Sequence, residues 1–167
     1  MPDLAPYKAK LEAYTESKDP LVLQSDTPRI LAELIDGAPD QQLRRRPCPD
    51  KWSVGEIIAH LAEDEVASSW RYRQMIESSG CGLSAFDQDE WARLGDYASW
   101  NPGDSLQLFR LLREANLRML RKLTAEEWTR HGFHAERGKI SLRDLVRHMA
   151  GHDMNHVDQI RAILGRS

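Results

Sequence analysis

The stretch SLRDLVRHMAGHDMNHVDQIRAIL, residues 141–164, decides the fold, because its spacing predicts one long amphipathic helix. At about 100° of rotation per residue, its apolar side chains fall on one face. Asp153 points into the middle of this face, and His152 and His156 lie along one edge. Polar groups are costly to bury in an apolar face, so we expect this turn to bind a ligand. The apolar face consists of Leu145, Val146, Met149, Val157, Ile160, Ile163 and Leu164.

His152 and His156 are i and i+4, which places one imidazole above the other on a helix. This spacing lets a single metal ion bind both rings. His148 lies about 12 Å along the axis from His156, because a helix rises about 1.5 Å per residue. One ion cannot bind all three histidines of this helix, so another segment must supply a further ligand.

His60 is the best candidate for that ligand. It follows Ser53 and Glu56, whose spacing matches a capping box at a helix start. His60 lies beside the apolar face of this second helix, and Glu65 points into the centre of the face. Each of the two helices therefore presents histidine at the edge of a buried face and a carboxylate within it.

Three neutral imidazoles with one open position form the ligand set of a catalytic metal site, here for zinc, nickel or iron. Asp153, Glu63 and Glu65 are the predicted catalytic carboxylates, which would orient the ligands or exchange a proton with bound water. A zinc protease is disfavoured, because Asp153 is shorter than the glutamate of H-E-x-x-H. A di-iron site is disfavoured, because it needs a second carboxylate-x-x-His pair. The other histidines, His131, His134 and His148, are predicted to be structural.

Helix start and stop signals predict an all-α fold, a four-helix bundle with additions. An extra N-terminal helix is expected over residues 6–17, in an N-terminal extension that spans residues 1–25, while the bundle spans residues 26–167. No stretch alternates well enough to predict a strand, although residues 20–23 are ambiguous. The four bundle helices are expected at Thr27 to Asp36, Ser53 to Ser78, Asp104 to Leu123 and Ser141 to Leu164.

The connection between the second and third helices, about residues 79–103, is unusually long. It carries Phe86, Trp91, Tyr97 and Trp100. Long aromatic loops in compact domains often form lids or pocket walls, which makes Trp91 a candidate substrate-binding residue. The alternative is a surface loop that packs aromatic side chains over one end of the bundle.

Composition indicates one soluble domain that acts on a small molecule. The chain has 167 residues, and 23 basic against 26 acidic side chains give it a formal net charge of −3. This balance offers no general attraction to nucleic acid, and no apolar run approaches membrane-spanning length. Because no secretory signal is evident, we expect a cytoplasmic protein in which Cys48 and Cys81 are free thiols.

The two histidine segments together resemble the DinB-like superfamily of bacterial metal-binding bundles. The similarity covers about residues 28–164 and leaves the first 25 residues outside it. Two features depart from the commoner pattern: Asn155 replaces a second histidine, and Val157 and Asp158 replace an Arg-Gly pair. The resemblance rests on WSVGE (52–56), HLAEDE (60–65), SL (141–142) and HDMNHVDQI (152–160).

This resemblance implies an up-down-down-up bundle with His60, His152 and His156 as the metal ligands. Members of the family are similar to S-transferases that use thiols such as bacillithiol or mycothiol, and to a maleylpyruvate isomerase. We therefore expect thiol S-transferase chemistry with a low-molecular-weight thiol as cofactor. Arg110 and Arg113 on the third helix are candidates to recognise an acidic thiol.

Two alternatives remain open from the sequence. One is a metal-dependent hydrolase, and the other is a non-catalytic protein that binds a metal or small ligand, for example in a stress response. The aromatic loop and the extra N-terminal helix are compatible with a homodimer.

Overall fold

The computed structural model describes residues 5–166 and confirms the prediction of a four-helix bundle. The helices α2, α4, α6 and α7 form the bundle, and shorter elements cover its side and ends. The α-helices are α1 (Ala5–Thr15), α2 (Pro20–Ile35), α3 (Asp40–Arg44), α4 (Val54–Glu77), α5 (Gln88–Leu94), α6 (Pro102–Leu120) and α7 (Leu142–Leu164). The strands are β1 (Cys81–Leu83), β2 (His131–His134) and β3 (Gly138–Ser141).

Two pairs of bundle helices run parallel. Gly55 at the start of α4 lies against Pro102 at the start of α6, and further along Asn116 of α6 donates a hydrogen bond of 2.9 Å to Glu65. The start and end of α2 likewise lie beside the start and end of α7. Gln24 donates to the Val146 carbonyl (3.0 Å), and Arg166, just beyond α7, donates to the Leu34 carbonyl (2.6 Å).

Helices α4 and α7 run in opposite directions. The first turns of α4, with Ile57, share a core cluster with Ile160 near the end of α7. The last turns of α4, with Met75, share a second cluster with Leu142 at the start of α7. Together with the two parallel pairs, this gives the up-down-down-up order that the resemblance implied. The long connection over residues 78–101 is what allows α4 and α6 to run parallel.

Capping boxes begin both helices that carry the candidate ligands, as predicted. Ser53 accepts a hydrogen bond from the backbone N–H of Glu56, whose carboxylate accepts one from the Ser53 backbone. Ser141 and Asp144 make the same reciprocal pair at the start of α7. These caps satisfy free backbone amides and fix where each helix starts.

The prediction that the chain has no strand is wrong. Strand β2 pairs in parallel with β1 and antiparallel with β3. Each strand has only three or four residues, too few for a period-two alternation to show in the sequence. The parallel pairing brings Cys81 opposite Gly132, where a Cβ atom would lie 2.7 Å from the Leu83 side chain.

The predicted start of the first bundle helix, at Thr27 and Pro28, is also wrong, because α2 begins at Pro20. Asp19 is the actual cap, and Thr27 donates back to the Leu23 carbonyl (2.9 Å) from inside the helix. Pro28 has no N–H to offer the Gln24 carbonyl one turn earlier. That carbonyl accepts a hydrogen bond from Arg113 of α6 instead (3.1 Å). The ambiguous stretch 20–23 is therefore helical.

The expected N-terminal helix is present as α1 and packs along α7. Leu11 is buried, and its backbone lies directly on Gly151 in the middle of α7. Cys48 and Cys81 are both free thiols, as expected. Over residues 5–166, no helix has the length and apolar character needed to cross a membrane.

We predict that Gly151→Ala destabilises the protein by roughly 2 kcal/mol, by overpacking. A Cβ atom at this position would lie 2.3 Å from the Leu11 carbonyl oxygen, so α1 must move away from α7. Helix propensity alone predicts the opposite sign, since alanine is favoured over glycine within a helix by about 1 kcal/mol. Urea denaturation measures the change. Gly82→Ala is the control, because nothing lies within 4 Å of its added Cβ. If the Gly151→Ala protein were as stable as the unmodified chain, the close packing of α1 on α7 would be contradicted.

Candidate metal centre

Three imidazoles from α4 and α7 converge on one point. The His152 Nε2 atom lies 3.2 Å from the Nε2 atom of His60 and 3.1 Å from that of His156. One ligand atom from each ring lies within 4.8 Å of the others, and all three residues are buried. A tetrahedral ion bound at about 2.0–2.1 Å would hold nitrogen atoms about 3.3 Å apart. The spacing of the rings therefore fits a common divalent ion.

Hydrogen bonding alone does not account for this arrangement. A ring nitrogen carries either one hydrogen or one lone pair. The Nε2 atom of His152 therefore cannot make a good hydrogen bond to both His60 and His156, although it lies close to both. A cation at the centre would accept a lone pair from all three Nε2 atoms, so these residues fit a bound metal ion.

The outer nitrogen of each α7 ring faces a polar group. The His156 Nδ1 atom lies 2.9 Å from the Gln159 Oε1 atom, one turn further along α7. The His152 Nδ1 atom is buried without a hydrogen bond, 3.5 Å from an Asp64 carboxylate oxygen. A carboxylate or amide behind a metal-binding histidine orients the ring and fixes its tautomer. On the α4 side, Trp52 packs on the His60 ring with centroids 4.8 Å apart.

Burial keeps the three imidazoles neutral. Burial, together with the neighbouring His156, lowers the pKa of His60 to about 3. Burial and the adjacent histidines also hold the pKa values of His152 and His156 well below their ordinary value. At neutral pH all three rings therefore present lone pairs rather than charges, which is the form that binds metal.

Glu65 and Asp153, two of the three predicted catalytic carboxylates, lie in a buried ion cluster with Arg113. Arg113 donates to Asp153 at 2.5 and 3.2 Å and to Glu65 at 2.8 Å. All three side chains are almost fully buried. Burial lowers the pKa of Arg113, but the two carboxylates outweigh it and raise that pKa. This arginine, predicted from the sequence to bind substrate, is enclosed by the protein groups to which it donates.

The remaining predicted site residues lie on three different helices, Glu63 on α4, Trp91 on α5 and Arg110 on α6. Glu63 is one turn beyond His60, half-buried, and accepts a hydrogen bond of 2.7 Å from the Tyr97 hydroxyl. Trp91 of α5 stacks on Phe86, with centroids 4.2 Å apart. Arg110 is exposed on α6. Of the three predicted catalytic carboxylates, Glu63 is the one on the half-buried rim of α4 near His60.

A model of the DinB superfamily matches residues 25–160 of this chain. The chain belongs to the DinB superfamily. Two relatives share the name "Putative metal-dependent hydrolase". YfiT of Bacillus subtilis (strain 168) is 24% identical over 162 residues, covering 96% of this chain and 91% of the relative. OB0782 of Oceanobacillus iheyensis is 28% identical over 141 residues, covering 84% and 81%.

Two solved structures share the fold of this DinB superfamily member. YfiT from Bacillus subtilis, described as a probable metal-dependent hydrolase with an unusual four-helix bundle topology, superposes with a TM-score of 0.80 at 22% identity. The match covers 89% of this chain and 87% of that one. The mycothiol-dependent maleylpyruvate isomerase gives a TM-score of 0.69 at 11% identity, over 84% of this chain and 59% of the other. At these identities the likeness establishes the fold.

Sequence reasoning missed Asp64 and Tyr97 as parts of this DinB-type site. Asp64 lies one turn after His60 on α4, so the i, i+4 spacing was a signal that it faces the same way. Tyr97 belongs to a short 3-10 helix, Tyr97–Ser99, whose position against α4 depends on the long connection. No local pattern predicts that contact.

We predict that Arg113→Met destabilises the protein by about 3–5 kcal/mol, because it leaves the buried carboxylates of Glu65 and Asp153 without a partner. Urea denaturation measures the loss. The control is Arg110→Met, the same substitution on the exposed side of α6, which should change stability by less than about 0.5 kcal/mol. A loss below about 1 kcal/mol for Arg113→Met would contradict the role of this ion cluster.

We also predict that the metal-free protein loses stability on acidification below pH 6.5. The folded-state pKa of His60 is about 3 against a reference of 6.5, so the unfolded chain takes up a proton that the folded chain refuses. Protonation of this one ring in the unfolded chain lowers the free energy of unfolding by about 2 kcal/mol between pH 6.5 and about pH 5. Asp64 opposes His60 by a similar amount over the same pH range, because burial raises its pKa from 3.8 to about 7 and its contribution is lost as pH rises through that range. Burial also holds the pKa values of His152 and His156 well below their ordinary value, and these two rings add to the loss from His60, so the net effect of acidification is destabilising.

Urea denaturation across this pH range tests the linkage. His60→Gln should reduce the acid-induced fall in the free energy of unfolding by about 2 kcal/mol. His131→Gln, at a half-buried position outside the site, should leave the fall unchanged. An identical pH profile for His60→Gln and the unmodified protein would show that His60 is not buried in its neutral form.

Proposed function

We propose that this protein is a metal-dependent transferase that conjugates a low-molecular-weight thiol to an electrophilic small molecule. His60, His152 and His156 would hold one divalent ion, with zinc, nickel and iron as the candidates. The observation that carries the proposal is a cluster of three buried, neutral imidazoles that, among residues 5–166, includes no carboxylate ligand.

The donor set favours an anionic partner for the ion. Three neutral ligands leave the full charge of a divalent ion uncompensated, whereas each carboxylate ligand would cancel part of it. When bound here, the ion would lower the pKa of a coordinated thiol or water and so supply a nucleophile near neutral pH. A soft thiolate suits zinc and nickel in such a site.

The residues around the triad hold it ready for that chemistry. Asp64 and Gln159 face the outer nitrogens of His152 and His156, which directs the Nε2 lone pairs inward. Trp52 packs on His60 and contacts Tyr97 at a centroid distance of 6.4 Å, so an aromatic wall limits water on the α4 side. Low water access strengthens the electrostatic interactions within the site.

The alternative is a metal-dependent hydrolase, which the names of the relatives favour. Hydrolysis needs a base that takes a proton from water and returns it to the leaving group. Glu63 is the candidate, since its half-buried carboxylate lies one turn from His60, but it already accepts the Tyr97 hydroxyl. Thiol transfer needs no such base once the thiol has ionised, and the thiol dependence of the maleylpyruvate isomerase provides a precedent on the same fold.

We predict that the metal-loaded protein accelerates conjugation of a thiol such as bacillithiol, glutathione or cysteine to monobromobimane. His60→Ala/His152→Ala/His156→Ala should lose stoichiometric metal and fall to the background rate, because the ligand set is gone. His131→Ala changes a histidine outside the site and should keep both properties. Elemental analysis of the purified proteins and fluorescence of the bimane adduct are the measurements.

Each of the following three outcomes would reject the transferase function. Metal-dependent cleavage of nitrophenyl acetate without thiol conjugation would identify the hydrolase instead. Bound metal with neither reaction would favour a non-catalytic binding protein. Retention of stoichiometric metal by the triple variant would contradict the proposed ligands and, with them, both enzymatic functions.

A further inference from the structure

Arg71 of α4 is a buried cation without an anionic partner at ion-pair distance, and the carboxyl group that acts on it most strongly from further away is the buried Asp64. Arg71 is 9% exposed, and among residues 5–166 it forms no ion pair within 4.0 Å. Its one hydrogen bond in that range goes to the Ser84 carbonyl (2.6 Å). Arg113, the other buried arginine, is paired with both Glu65 and Asp153. Buried charges in proteins are normally paired, so Arg71 has the character of a group that awaits an anion.

The helical register places Arg71 in line with the metal centre. Arg71 follows His60 by eleven residues, close to three full turns, so it projects from the same side of α4. Because α7 runs in the opposite direction, His148, one turn before His152, lies on the same side of the triad as Arg71. The rings of His148 and His152 lie 6.5 Å apart and nearly parallel. A line of polar groups therefore extends from the triad towards Arg71.

The β2–β3 hairpin adds two further groups to this end of the line. His134 at the end of β2 is buried, and its Nδ1 atom accepts the Glu136 N–H (3.2 Å), so its Nε2 atom carries the hydrogen. Arg137 lies in the exposed hairpin turn. The backbone N–H of Ala135, which follows His134, donates to the Leu83 carbonyl (3.3 Å), and the next residue, Ser84, accepts a hydrogen bond from Arg71, so the hairpin lies beside the Arg71 side chain. Burial first, and then the charges of Arg137 and Arg71, lower the pKa of His148.

Aromatic side chains from the long connection between α4 and α6 lie on the other side of the Arg71 side chain. The Arg71 guanidinium lies 5.3 Å from the centre of the Phe86 ring, and Phe86 stacks on Trp91. A flat guanidinium held against an aromatic ring keeps its edge available for hydrogen bonds. Trp91, predicted from the sequence to bind substrate, thus supports the wall beside Arg71.

We propose that Arg71, His134, Arg137 and His148 form a basic cleft that binds a carboxylate group of the thiol or of its acceptor. This inference rests on the proposed function and specifies its substrate class. Arg71 lies about 10 Å beyond Asp64 along α4 by the helical rise, and its side chain leans back towards the triad. The ligand is therefore an extended acid whose sulfur and carboxylate lie several ångströms apart, rather than a compact thiol.

The charge balance favours a carboxylate over a phosphate dianion. Two guanidinium groups, those of Arg71 and Arg137, face two carboxyl groups, the buried Asp64 and the exposed Glu136. The adjacent Lys8 is paired with Glu12 on α1 (3.7 Å). The cleft thus has no large excess of positive charge that could offset a dianion. A guanidinium also matches a carboxylate in shape, through two parallel hydrogen bonds.

Glutathione and its diethyl ester are the probes, because they carry the same thiol and differ in their carboxylates. Binding to the cobalt-loaded protein is followed by the thiolate-to-cobalt absorption band. The unmodified protein should bind the acid at least about tenfold more tightly than the ester, as expected for hydrogen bonds to a charged group. Arg71→Gln should reduce that preference to about twofold and leave affinity for the ester unchanged.

Two further variants make the result specific. Arg110→Gln removes the same charge from the exposed face of α6 and should keep the full preference for the acid. Arg137→Gln, in the exposed hairpin turn, should reduce the preference for the acid by about half on a logarithmic scale, from about tenfold to about threefold. This variant also tests the cleft if Arg71→Gln fails to fold. Cysteine ethyl ester and cysteine, which are too short to reach Arg71, should show no more than a twofold difference.

A parallel arm separates this inference from the proposed function. S-methylglutathione has no thiol to ionise, so calorimetric titration of the metal-free protein with this compound and its ester measures the cleft alone. Preference for the acid here, with no cobalt bound, would retain the cleft and reject the metal chemistry. Equal affinity for acid and ester in the unmodified protein, no binding of either, or an unchanged preference in both Arg71→Gln and Arg137→Gln would overturn the proposal.

Discussion

The site depends on one buried ion cluster that joins all four helices of the bundle. Arg113 reaches from α6 to Glu65 on α4 and to Asp153 on α7, and it also donates to the Gln24 carbonyl of α2. Asp153 is the neighbour of His152 in the chain. Because the cluster fixes α4 against α7 in register, the rings of the two helices meet instead of sliding past one another. A cluster of this kind is costly to break, because removing one member leaves a buried charge without a partner.

Burial gives the triad its chemical character. The same packing that encloses Arg113 removes water from the three imidazoles and holds them neutral. Neutral donors leave a bound ion strongly electrophilic, while Asp64 and Gln159 fix the direction of the rings from behind. In the proposed function, the polar line that continues towards Arg71 provides a place for the remainder of an acidic substrate. Metal binding and substrate recognition would then use successive turns of the same two helices.

The sequence predicted those features that depend on short-range spacing. The capping boxes at Ser53 and Ser141 and the pair His152 and His156 are local patterns, and the structure contains both caps and brings this pair next to His60. The bundle itself followed from the helical periodicity and from the family resemblance.

Features that depend on distant partners were not predictable. Pro28 suggested a helix start, because nothing nearby shows that Arg113, on another helix, satisfies the carbonyl that proline leaves free. The sequence places Glu65 and Asp153 in buried faces and predicts that they orient the ligands or exchange a proton. Their ion pairs with Arg113 were not predictable, because Arg113 lies on a third helix. Strand β1 forms only through pairing with a segment about fifty residues further along the chain, as in the pairing of Cys81 with Gly132.

Anomalous diffraction from crystals of the zinc- or nickel-loaded protein tests the central claim most directly. The account predicts one strong peak, about 2.0–2.1 Å from the Nε2 atoms of His60, His152 and His156, with a further position open to a small ligand. A peak bound elsewhere on the chain, or one held by a single member of the triad, would contradict it.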